Sequence, residues 1–130
     1  MRSEVIKGVI ICVGAFAVLF GAIYVQTYRN VKQQIDVAKS FYDMNAEDAL
    51  IAFLLDESRP PSMRTHVAVW TLGQIRSPKA LKVLNQIDRG DPEGISCKGS
   101  HATELCQYEV SKAIKKIENW GLLTYHFLID

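Results

Sequence analysis

Eighteen consecutive positions, Gly8 to Val25, carry no charge, and after them apolar residues recur at three- and four-residue steps almost to the end of the chain. The first pattern predicts a membrane-crossing helix. At about 1.5 Å of rise per residue the run spans roughly 27 Å, close to the ~30 Å hydrocarbon core of a bilayer. Tyr24, Tyr28 and Arg29 stand where interfacial anchors belong. A cleaved signal peptide is the competing reading, but its apolar region is ~7 to 15 residues and ends at small residues. The nearest such pattern, Ala15-Phe16-Ala17, lies in the middle of the run. The expectation is therefore an uncleaved single-pass anchor in lipid over residues 8–28, behind a short tail at 1–7.

The second pattern predicts helices throughout. Val31, Ile35, Ala38 and Phe41 or Tyr42 continue the spacing, so residues 29–44 read as a stalk or first soluble helix. Asn45, with Asp48 three positions on, reads as the N-cap of a helix carrying Ala49, Leu50, Phe53 and Leu54. Arg59-Pro60-Pro61 closes it. A further helix is expected from Ser62 to Ile75 with Met63, Val67, Leu72 and Ile75 facing inwards. Ser77-Pro78 supplies an N-cap and a first-turn proline for another through Ile87. Asp88 to Ser100 holds three glycines and a proline and reads as a loop. Ser100 then caps a last helix with a stripe of Cys106, Val110, Ala113, Ile114 and Ile117. In the tail at 121–130, Leu123, Tyr125, Phe127 and Ile129 alternate, which leaves helix and strand both open.

Internal similarity turns these helices into an architecture. Asp48 to Phe53 (DALIAF) matches Lys79 to Leu84 (KALKVL) thirty-one residues later, and Leu72-Gly73-Gln74-Ile75 matches Ile114 to Ile117 across the loop. Arg64 to Ile87 resembles one unit of the short HEAT-like, armadillo-type repeats: Arg64 opens the first helix, Leu72-Gly73 stands near its end, Ser77-Pro78 makes the turn, and Ala80-Leu81 begins the second helix. Departures are the insertion at 88–100 and the bulky Trp70. The resemblance implies an all-α fold: a small α-solenoid of about two and a half helix pairs over residues 45–120, stacked so that neighbours cover one another's apolar faces. A solenoid this short works by contact with other proteins.

Charge narrows the partners. Of fifteen Lys and Arg only Arg2 and Lys7 precede the apolar run, and of fourteen Asp and Glu only Glu4 does, so the remainder carries thirteen of each. A neutral domain lacks the basic surface that nucleic acid requires. Lys112, Lys115 and Lys116 form one basic cluster, read as a solvated helix face. No Ser, His and Asp grouping or phosphate-binding glycine loop appears, so neither an enzyme, a cofactor nor a small-molecule substrate is expected.

Candidate sites are few. Cys97 and Cys106, nine apart, are compatible with a disulfide in an oxidising compartment, which would place the domain on the outer, extracytoplasmic side of the cell (inner) membrane. Two free thiols in a cytosolic domain are the other reading, since Cys106 falls on an apolar stripe and the flanking charges nearly tie. With His101 the two cysteines would make a metal-binding or redox loop, though a structural zinc site wants four ligands. Gly14, Ala17 and Gly21 recur at i, i+3 and i+7 and offer a helix-packing face inside the membrane. Trp70, Trp120, Tyr125 and Phe127 are the candidate interaction surface. Arg89-Gly90-Asp91 spells an adhesion tripeptide, read as chance in a turn. The functional expectation is an adaptor or small accessory subunit of a membrane protein complex.

Overall fold

The computed structural model describes residues 2–91, 93–97 and 104–119. Among them every regular element is helical. The chain divides into two compact units, one through Asn30 and one from Val31 onward. Helix α1 (Arg2–Phe41) contributes to both.

The first unit is a single apolar helix. It is the one element among the described residues long and apolar enough to cross a membrane. Its large apolar side chains between Val5 and Val25 are 47% to 73% exposed, uncovered by the rest of the chain. Near its end the Thr27 hydroxyl donates to the Ile23 carbonyl at 2.9 Å, which shields that polar group without leaving the helix.

The second unit has a true core. Val31, Ile35 and Ala38 at the end of α1 are buried, as their spacing predicts. Helix α2 (Ala46–Leu55) comes next, capped reciprocally: Asn45 Oδ1 accepts from the Asp48 amide at 2.9 Å while Asn45 Nδ2 donates to the Asp48 carboxylate at 2.6 Å. The succeeding stretch is not uniform. It begins as α3 (Pro61–Met63), passes through a π-helical stretch (Arg64–Val69) in which the Trp70 amide reaches back to the Thr65 carbonyl, and ends as α4 (Trp70–Ile75). The extra residue in a π turn rotates the helical face before it by about 100° relative to the face beyond it. That rotation corrects one expectation: Met63, placed inside by an unbroken 3.6 period, is 40% exposed, while Val67, Leu72 and Ile75 are buried.

Helix α5 (Pro78–Ile87) starts at the predicted cap, with Ser77 Oγ accepting from the Ala80 amide at 3.1 Å. A short 3-10 turn (Ile95–Cys97) interrupts the expected loop, and α6 (Gln107–Glu118) is capped by Cys106; Ser100, expected as the cap, lies outside the described residues. Helices α4 and α6 approach closely at Gly73, where an added Cβ would lie 3.0 Å from both Cα and Cβ of Ala113. Part of that contact is backbone, which moves only if the helix moves. Gly73→Val is accordingly expected to destabilise the second unit by about 2 kcal/mol through overpacking, with Gly73→Ala milder because better helix propensity offsets the crowding. Denaturant unfolding of the full chain in mild detergent, monitored by circular dichroism, reads both.

Candidate functional site

Three side-chain constellations and one groove mark the second unit. The first joins the end of α1 to the turn after α2. Asp56 ends α2, and its carboxylate accepts from the Ser58 hydroxyl at 2.5 Å, the Tyr42 hydroxyl at 2.5 Å and Arg59 Nε at 2.9 Å. The Arg59 guanidinium in turn sits 3.8 Å from the centre of the Phe41 ring and 4.6 Å from that of Phe53. Phe41, half exposed, thus gains a cationic cover on a face that the core does not reach.

The hydrogen bond from Ser58, then that from Tyr42, with the charge of Arg59 adding, lower the Asp56 carboxyl to about 2. A carboxyl whose pKa falls on folding stabilises the fold above its unfolded value and loses that contribution as pH drops through the folded value. Stability is therefore expected to decline between about pH 4 and pH 2, and Asp56→Asn to flatten that part of the profile. Thermal unfolding of both proteins across this range is the check. Identical slopes would remove Asp56 as the cause.

The second constellation joins the start of α2 to the start of α5. Glu47, in the first turn of α2, is buried and accepts from the Ser77 hydroxyl, itself fully buried at the cap of α5. Lys79 Nζ lies 3.7 Å from Glu47 and 3.2 Å from Asp48. Asp48 and Lys79 are the residues that head the two matching segments thirty-one apart. Both hydrogen bonding from Asn45 and the approach of Lys79 lower the Asp48 carboxyl. From sequence, Glu47 is merely an acid near a helix start. Its burial against Ser77 has no linear signal.

The third is the loop before α6. Cys97 and Cys106 form a disulfide, with Cα atoms 4.7 Å apart. Both sulfurs are thereby taken up by the bond; His101, the third residue of the metal-binding reading, lies outside the described residues. Among the described residues no group of three or more His, Cys, Asp and Glu is placed to hold a metal ion. Asp91, the acid of the Arg89-Gly90-Asp91 tripeptide, is consumed locally: its carboxylate accepts from the Ile95 amide at 2.9 Å and from the Ser96 amide and hydroxyl at 2.7 and 2.5 Å. These bonds, that from the Ser96 hydroxyl foremost, lower its carboxyl. Gly90 supplies the positive φ of 70° that the turn requires.

Beside this loop runs an open groove of about 580 Å³. Glu57, Arg64, Arg89 and Glu104 line it together with the apolar Ile87 and Leu105. Arg64 is held there by a 2.7 Å bond from its Nε to the Leu54 carbonyl, one of the otherwise orphaned acceptors at the end of α2. Small-molecule sites are mostly apolar and enclosing. A wide groove with charges of both signs is suited instead to the polar contacts of a protein surface. Nothing in the spacing of Arg64, Arg89 and Glu104 forecasts their meeting.

The remaining sequence candidates fall in several places. Gly14, Ala17 and Gly21 lie exposed on α1, and nothing within 4 Å would meet a Cβ added at either glycine. Trp70 is half buried, stacked on His66 with ring centres 6.5 Å apart. Lys116, read as solvated, is half buried, and burial, then the neighbouring charge of Lys112, lowers its ammonium pKa. Trp120, Tyr125 and Phe127 lie outside the described residues. Compared with protein-family models, curated proteins and solved structures, the chain matches none.

Proposed function

We propose that this chain is a single-pass, membrane-anchored protein-interaction module, an adaptor or small accessory subunit of a membrane protein complex. The observation that carries the reading is the apolar face of α1, whose side chains from Val5 to Val25 the chain itself leaves uncovered. Such a helix needs lipid or other helices around it, and tethering raises the effective concentration of the second unit toward neighbours in the same membrane. The small-residue face of Gly14, Ala17 and Gly21 is where another transmembrane helix would approach.

The second unit is, in this reading, a short HEAT-like solenoid. Its support is the contact of Asp48 with Lys79, equivalent residues of consecutive repeats, together with the packing of α2 on α5 and of α4 on α6. Alternate helices stacking on one another is the arrangement by which repeats bury a continuous core. The disulfide supports an outward-facing domain in the cell (inner) membrane, because such bonds persist in oxidising compartments. The mixed-charge groove is the surface offered to a partner subunit.

Two experiments test this. In mild detergent the intact chain is expected to co-purify with a partner in fixed ratio; elution alone would sink the subunit reading. In sealed cells, a membrane-impermeant maleimide is expected to label the second unit only after reduction. Labelling only after lysis would reverse the assigned side, and labelling without reductant would show free thiols in place of the disulfide.

A further inference from the structure

The crossing of α4 and α6 leaves a small notch on the surface. Gly73 and Ala113, at the point of close approach, carry too little side chain to fill it, so Trp70, one turn before Gly73, and the α6 stripe of Glu109, Lys112 and Lys116 form its rim. The stack of Trp70 on His66, with ring planes 19° apart, fixes the aromatic edge. The charged edge is lopsided. Lys112 Nζ is engaged by Glu109 Oε1 at 3.3 Å, whereas Lys116, half buried one turn on, makes no hydrogen bond or ion pair among the described residues. Arg76 adds a third cation. It ends α4 in the left-handed conformation, φ 53° and ψ 50°, which carries a steric cost for a residue with a Cβ. Its Nη1 donates to the Asn119 carbonyl at 2.7 Å, which holds the guanidinium at the end of α6. Burial, then the charge of Lys112, lowers the Lys116 ammonium; Glu109 opposes this and Arg76 adds to it. The one carboxylate in the notch therefore leaves Lys116 without a counter-ion.

We propose that this notch docks an acidic segment of a partner protein, with a carboxylate bound at Lys116 and Arg76 and an adjoining apolar side chain laid against Trp70. The inference rests on the subunit reading above and names the chemistry of the partner. An arriving carboxylate gives Lys116 the charge-assisted hydrogen bond that the chain itself does not supply. Tryptophan and arginine side by side are the residue types that dominate binding energy at protein interfaces. Glu109 does not block the site. It stands seven residues from Lys116, about 10 Å along the helix axis, and is already engaged by Lys112. An anionic bilayer calls for a broader basic field, since lipid-binding clusters hold about four to eight Lys and Arg. Here three cations share the notch with a carboxylate, which matches one short acidic segment.

The test is fluorescence anisotropy on the full chain in dodecylmaltoside micelles, titrated into a fluorescein-labelled peptide of alternating Glu and Leu, with a Lys and Leu peptide as control. The acidic peptide is expected to bind and the basic one not. Lys116→Gln is expected to weaken binding about tenfold, the equivalent of one charge-assisted hydrogen bond, and Lys115→Gln to change it less than about twofold. Lys115 is exposed on the same helix, so its variant removes the same charge outside the notch. If Lys116→Gln fails to fold, the more exposed Lys112→Gln is expected to weaken binding too, because it also releases Glu109 to repel the peptide. Absence of binding, equal losses from Lys115→Gln and Lys116→Gln, or displacement of the peptide by phosphatidylglycerol in the micelles would each overturn the proposal, the last by assigning the notch to a lipid headgroup. A natural partner retained undiminished by Lys116→Gln would remove the notch and leave the subunit reading standing. Peptide binding by a chain that elutes alone would do the reverse.

Discussion

Phe53→Ala is expected to cost about 3 to 5 kcal/mol, the largest loss for any single truncation in the second unit. Phe53 is completely buried, so the substitution forfeits the transfer energy of the ring and leaves a cavity in a close-packed interior. Its loss reaches further than volume. The ring lies 6.0 Å from Phe41 and meets Tyr42 edge-on at 6.3 Å, with Arg59 above it. Aromatic pairs of this kind contribute about 0.5 to 1.5 kcal/mol beyond burial. Removing Phe53 therefore also loosens the seat of Phe41 and Tyr42, the residues through which the end of α1 grips α2. Denaturant titration of the full chain in detergent measures the loss, and the cycle Phe53→Leu with Arg59→Met separates ring volume from the cation contact. A loss below about 1 kcal/mol would mean that this corner carries little of the fold's stability.

Ser77→Ala is expected to cost about 2 to 4 kcal/mol, an unusual amount for the removal of one oxygen. The hydroxyl does two things at once. It caps α5 by accepting from the Ala80 amide, and it donates to the carboxylate of Glu47, which is 6% exposed. Loss of the cap alone accounts for about 1 kcal/mol, and the remainder comes from leaving a buried carboxylate short of a donor. Lys79, at 3.7 Å and largely exposed, compensates only in part. The companion Glu47→Leu/Ser77→Ala is expected to recover part of the loss, because an apolar pair leaves no polar group stranded. If the double variant instead shows the sum of two large single losses, packing and not polar satisfaction sets the cost.

Much of the secondary structure was legible because its causes are local. The caps at Asn45 and Ser77, the first-turn proline at Pro78 and the inward stripe of Val31, Ile35 and Ala38 all act within one or two turns of the residues that reveal them. The π-helical stretch was not legible: each residue from Arg64 to Val69 is compatible with an ordinary helix, and the contacts this stretch makes with α2 and α6 leave no local signal. Met63 was misplaced for that reason alone. Of the candidate site residues, Cys97 and Cys106 were visible as a pair by their spacing, whereas Arg59 stood out only in a helix-closing Arg-Pro-Pro, Arg64 as the opening residue of a repeat-like unit and Arg89 in a chance tripeptide, none of them by the contacts it makes.

By itself the sequence determined the apolar helix, the helical character of the described residues beyond it, and the thirty-one-residue recurrence, since each depends on periodicity and composition over short distances. Only the tertiary structure decided which polar groups are buried together, as with Glu47 and Ser77, and which charges face a common groove, as with Arg64, Arg89 and Glu104. The physical reason is range. A helix is closed by bonds four residues apart, but a buried ion partner or a groove wall is made by residues far apart in the chain, whose meeting no local pattern records.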